Sequence, residues 1–173
     1  MKHFIEALET SLKTKNWYSS LFIVLSAPDI CGKIDEPDAS SKQRSINWYN
    51  KYIKQYYTMK IGPKEIEHTF LGGSDFYALR CAYLHEGTDD ISSQRAREAL
   101  EKFQFTQPTI NVFSAHKIQS GTKLQLQVDK FGEDMLKGLK AWMKDATTDP
   151  VKLQKIESLL NIQILDPKQG FNI

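Results

Sequence analysis

Between Tyr77 and Gly87 the chain reads Tyr-Ala-Leu-Arg-Cys-Ala-Tyr-Leu-His-Glu-Gly, which sets Arg80, His85 and Glu86 into an otherwise apolar helical pattern. A guanidinium in such surroundings is costly unless a partner carboxylate or a bound anion repays its desolvation. Imidazole is the side chain that titrates near neutral pH. Together a fixed cation and a proton carrier can serve acid–base chemistry on an anionic group. The plain alternative is structural: Arg80 pairs with Asp75 or Asp29, while His85 sits at a helix C-terminus where the dipole favours imidazolium.

The spacing of Arg80 and His85, R-x₄-H within Arg-Cys-Ala-Tyr-Leu-His at 80–85, resembles the active-site motif of HEPN-domain ribonucleases, a family of helical, usually dimeric proteins found in toxin–antitoxin and antiviral systems. The similarity covers this helix, the tyrosine-rich helix before it and the outline of a mainly helical domain. The position after the arginine, usually polar and often asparagine in that family, is Cys81 here.

What the resemblance implies is a metal-independent endoribonuclease with no cofactor, in which a ribose 2′-hydroxyl attacks the adjacent phosphorus, a cation stabilises the charge growing on the phosphoryl oxygens, and a second group moves protons. Arg80 would bind phosphate and stabilise its charge, and His85 would act as general acid or base. Asp29, Cys81 and Glu86 are the supporting candidates. A homodimer would pool two Arg80–His85 pairs in one cleft, RNA would be the substrate, and a cognate antitoxin or regulatory protein a further partner. The competing reading is a noncatalytic helical module that binds a protein or nucleotide, with Arg80 and His85 as a structural pair. Exposure separates the two: catalysis needs both side chains on an open concave surface, a structural pair needs them sealed and satisfied.

Other chemistries lack their markers. His3, His68 and His116 are isolated from one another, so no metal-ligand spacing is expected, and neither a glycine-rich phosphate loop nor a G-x-S-x-G elbow occurs. The Arg95-Ala96-Arg97 pair with Lys102 is the modest basic cluster near the motif. With 23 basic and 21 acidic residues the formal charge is +2, so any nucleic-acid contact must be local. Cys31 and Cys81 are far apart, which gives no disulfide framework and fits a reducing cytoplasm. The apolar run from Leu21 to Pro28 is far short of the ~20 residues needed to cross a bilayer, and the N-terminus has no signal-peptide pattern, so no membrane association is expected.

The elements that must position these residues follow from periodicity. A length of 173 residues, 40% hydrophobic and 25% charged, predicts one domain over 1–173. Phe4, Ile5, Leu8 and Leu12 write a first helix, and Asn16 caps a second that Pro28 and Gly32 are expected to end. Lys33 to Lys42 reads as a loop. Ile46, Tyr49, Tyr52, Ile53 and Tyr56 form the stripe of a third helix, closed by Gly62-Pro63, with Trp48 and Tyr57 off the stripe. These tyrosines could stack on bases, but core packing is the simpler reading. Ser74 is expected to cap a fourth helix that ends at Gly87, with Asp75 in its first turn favoured by the dipole.

The period then becomes two. Phe103 with Phe105, Ile110 with Val112, and Leu124, Leu126 and Val128 predict strands, with a turn at Gln119–Thr122 and His116 on a strand. Two helices close the chain, the first on Met135, Leu136, Leu139, Trp142 and Met143, the second on Leu153, Ile156, Leu159 and Leu160 after the Asp149-Pro150 cap. The fold expected is a mainly α, HEPN-like bundle with an antiparallel β-hairpin or small sheet inserted at about 102–128, α+β overall.

Overall fold

Helix α1 (Lys2–Lys13) and helix α2 (Trp17–Asp35) form the opening hairpin, and the Asn16 side chain accepts the Ser19 N–H as the cap requires. The computed structural model describes residues 1–109, 114–160 and 162. α2 continues through Pro28 and Gly32 instead of ending there. Pro28 withholds one helical hydrogen bond, yet Val24, Leu25, Ala27, Cys31 and Ile34 are all buried around it, and packing on that scale outweighs a local cost of about 3 kcal/mol. The loop therefore shrinks to the residues between Asp35 and Ser41.

Helix α3 (Ser41–Tyr52) starts on the Ser40 side chain, which accepts the Gln43 N–H. A 3₁₀ turn at Lys54–Tyr57 follows, and it carries Tyr57 into the core. Trp48 is buried too, because α3 is covered on a wider arc than the tyrosine stripe implied. The chain then forms an antiparallel hairpin, β1 (Thr58–Ile61) with β2 (Ile66–Thr69), around Gly62 at φ 71°. The sequence had shown only a helix stop at Gly62-Pro63. Both strands are largely exposed and carry no alternation that would have marked them.

Helix α4 (Gly73–Cys81) runs into a π turn at Ala82–Glu86, which ends at Gly87 in the left-handed conformation, φ 69°. The second sheet holds β3 (Lys102–Thr106), β4 (Ile118–Ser120) and β5 (Lys123–Gln127) in the order β3-β5-β4. β4 and β5 pair antiparallel about Gly121, as the turn chemistry predicts, whereas β3 joins the other edge of β5 in parallel. His116 lies just before β4, not on it, and the expected Ile110–Val112 strand falls outside the described residues.

Helix α5 (Val128–Ala146) and helix α6 (Pro150–Glu157) complete the described fold, the latter capped by the Asp149 side chain. Leu153 and Leu160 are exposed, so Ile156 alone of the α6 residues is buried. One continuous buried cluster takes Leu8 from α1, Leu25 from α2, Tyr49 from α3, Phe76 from α4, Phe103 and Leu124 from the sheet, and Phe131, Leu139 and Trp142 from α5. The result is a mainly helical α+β fold with two small sheets. Asp35, at the end of α2, accepts Trp142 Nε1–H at 2.9 Å and Lys152 Nζ at 2.6 Å, tying α2 to the closing helices.

Candidate functional site

The site is built on Asp29, an acid in the C-terminal half of α2 whose side chain is 16% exposed. Its Oδ1 accepts from Arg44 Nε at 2.6 Å and Ser41 Oγ at 3.0 Å, with Ser45 Oγ at 3.5 Å; its Oδ2 accepts from Arg80 at 2.8 Å. One carboxylate thus faces two guanidiniums, leaving one positive charge in excess inside a mostly desolvated junction of α2, α3 and α4. Arg80 is 14% exposed and Arg44 17%. Arg80 Nε is buried without a hydrogen-bond partner among the described residues, and the guanidinium carbon lies 5.7 Å from the centre of the Tyr77 ring.

Close helix approach makes this junction possible. A Cβ on Gly32 would stand 2.8 Å from the Arg44 carbonyl oxygen, so glycine is needed there to let α3 lie against α2. Gly32 serves packing, not helix termination. Arg44 also donates to the Ala39 carbonyl at 3.2 Å, which fixes its fork from the other side. Arg44 does not stand out in the sequence, because the polar stretch up to Lys42 just before it reads as loop. The available signal was the Ser41, Arg44, Ser45, Trp48 series at helical spacing, a polar stripe running on into a buried one.

His85 is placed differently. It lies in the π turn that continues α4, is exposed, and takes no part in the Asp29 network. The Gly87 N–H reaches the Ala82 carbonyl five residues back, so the turn is wider than an α-turn. The ~140° separation of Arg80 and His85 that an ideal α-helix would give is reduced accordingly, because each residue of a wider turn advances less. Such widened turns are frequent at functional sites. Glu86 is exposed and accepts from Gln94 Nε2 at 2.9 Å, facing the following loop instead of the cluster. Cys81 is half-buried beside Tyr77, whose phenol is pushed up by burial first and by the neighbouring thiol next.

Several other polar residues prove to be scaffold. Asp75 is buried and accepts the N–H groups of Glu98 at 2.7 Å and Ala99 at 3.2 Å, so it pins the loop after the π turn; that explains it better than the helix dipole does. Ser74 does not cap α4, whose N-cap is Gly72, and instead donates to Glu98. Tyr49 and Tyr52 on α3 and Tyr57 on the 3₁₀ turn are buried, the Tyr49 and Tyr57 phenols pushed far up by burial, so these three rings offer no face for a base. His116 accepts the Gln127 N–H on Nδ1 and faces the Asp134 carboxylate at 3.6 Å through Nε2. Among the described residues no group of three or more His, Cys, Asp or Glu side chains could hold a metal ion, and no helix is long and apolar enough to cross a membrane.

A groove of about 500 Å³ opens beside the π turn, between the first turn of α2 and the end of β3, with Tyr83 and Gly87 in its wall. Arg80 does not line it. Comparison with protein-family models, with curated proteins and with solved structures finds no match to this chain.

Proposed function

We propose that the protein is a metal-independent endoribonuclease of the HEPN type that acts as a homodimer. The observation that carries this reading is the surplus of guanidinium over carboxylate at Asp29, one helical turn or so before an exposed imidazole on a π turn. A locked cation and a free proton carrier are the two groups that transesterification needs. The 2′-hydroxyl loses its proton to a base as its oxygen bonds to phosphorus, the bond from phosphorus to the 5′-oxygen breaks, and that oxygen takes a proton from an acid. Two proton transfers call for two imidazoles, which a pair of protomers with one His85 each would supply. Phe22, 52% exposed on α2 and edge-on to Tyr83 at 5.3 Å, gives the face bearing α4 an apolar anchor for such a pairing. Asp29 and Arg44 hold Arg80 in place, and the free cysteines fit a reducing cytoplasm.

The low exposure of Arg80 favours the second reading, a noncatalytic module in which the Asp29–Arg80 pair is structural. Mutagenesis separates the two. In single-stranded RNA cleavage with a metal chelator present, His85→Ala lowers the rate about 10²–10⁴-fold and Arg80→Ala does comparable damage while circular dichroism shows both folded. Cys81→Asn, which restores the residue common in the resembling family, retains or raises cleavage. Folded, dimeric wild type and Cys81→Asn that both leave a broad RNA panel intact would assign the pair to the structural role.

A further inference from the structure

The groove beside the π turn brings together three aromatic side chains, Trp17 and Tyr83 half-buried against the edge of the core and Tyr18 standing clear of it. Trp17 and Tyr18 come from the first turn of α2 and Tyr83 from the π turn. Tyr18 is 76% exposed. Single exposed aromatics are ordinary, but these line one concave surface together with the Asp89 carboxylate and the Gln107 amide. Lys102 Nζ stands 3.8 Å from Asp89 and is half exposed, which sets a cation at the rim. Its size suits a small planar ligand.

We infer that this groove is a subsite for one unpaired nucleobase of a single strand, stacked on Tyr18 and edge-bonded by Asp89 and Gln107. Every base has a π-face for an aromatic ring and an edge of donors and acceptors, and an amide beside a carboxylate offers both kinds of partner. The choice of a nucleic-acid ligand rests on the ribonuclease reading. Position on α2 ties the two places together. Tyr18, Phe22, Ser26 and Asp29 succeed one another at spacings of four, four and three, so they lie along one ridge of the helix. At 1.5 Å per residue, Tyr18 stands about 16 Å from the level of Asp29 and Arg80. The base held in the groove is therefore not one flanking the phosphate at Arg80 but one further along the strand.

Tryptophan emission reads this directly. Of the three tryptophans, Trp48 and Trp142 are buried, so Trp17 is the one open to a ligand. The probe is a short unstructured 2′-deoxy oligonucleotide, which carries bases but lacks the attacking hydroxyl. It quenches the full-length protein saturably, Trp17→Phe abolishes the signal, and Tyr18→Ala weakens binding about tenfold or more while Tyr18→Phe binds as wild type does. A base-paired hairpin of the same length does not quench. Absence of saturable quenching in the folded wild type, or equal affinity for Tyr18→Ala, overturns the inference. Quenching by the deoxy probe with no cleavage of RNA would remove the ribonuclease reading and leave the subsite standing; cleavage without quenching would do the reverse.

Discussion

Asp29 decides how Arg80 behaves. Asp29→Asn leaves Arg44 and Arg80 facing each other without the carboxylate between them, and because all three side chains are mostly buried the loss should be about 2 kcal/mol or more, read as a lower urea midpoint with an unchanged slope. If Arg80 also serves RNA cleavage, the same variant loses rate beyond what its unfolded fraction explains. The cysteines give a second test at this scale. Burial first, and then the charge of Asp35, push the Cys31 thiol well up, whereas Cys81 is partly exposed. A thiol reagent should therefore titrate one cysteine in the folded chain and two after denaturation, and Cys81→Ser should leave none reactive in the fold. Much of this was legible in the sequence: an arginine in an apolar helix demands an acid, and Asp29 stood in the polar, turn-rich cluster ahead of it. Arg44 was not legible, since its role depends on α3 starting at Ser41, inside the stretch whose polarity and Pro37 read as loop.

At the scale of elements, the site exists because α2 and α3 lie close enough for side chains from both to reach Asp29. Gly32→Ala drives a methyl group into the Arg44 carbonyl, and since the obstacle is backbone, α3 must move. The expected cost is about 1–3 kcal/mol with a visibly lower Tm, and in the proposed enzyme a drop in cleavage that exceeds that of an equally destabilising change elsewhere. Gly138→Ala is the control, because its Cβ would strike the side chain of Ile53, just past the C-terminal end of α3 and away from Arg44. Strong helical periods revealed α1, α3 and α5, and the Asn16 and Asp149 caps marked two helix starts. The β1–β2 hairpin escaped because its strands are exposed on both faces, and the parallel β3–β5 pairing escaped because no local signal chooses the neighbour of a strand across an intervening hairpin. Pro28 misled because propensity is local, while the burial that overrides it comes from other elements.

For the whole molecule, stability and assembly bear on function together. Burial raises the Asp134 carboxyl, but the His116 imidazole facing it at 3.6 Å and the Lys137 ammonium donating to it at 2.8 Å outweigh that and hold it below the usual value. A carboxyl depressed in the fold contributes stability that is complete above its unfolded value of about 4 and is lost as pH falls through the folded one. Asp134→Asn should accordingly flatten the decline in Tm as pH falls below about 4 while lowering Tm near neutrality. Light scattering at micromolar concentration should give a dimer, and an interface of roughly 1,200–2,000 Å² should cover the face bearing α4. The most direct test is the chemistry of the RNA ends made by the purified protein in excess chelator. Attack by a 2′-hydroxyl predicts a 2′,3′-cyclic phosphate on one fragment and a 5′-hydroxyl on the other, both missing with His85→Ala; intact RNA, or 5′-phosphate ends that appear only when metal is restored, would contradict the account.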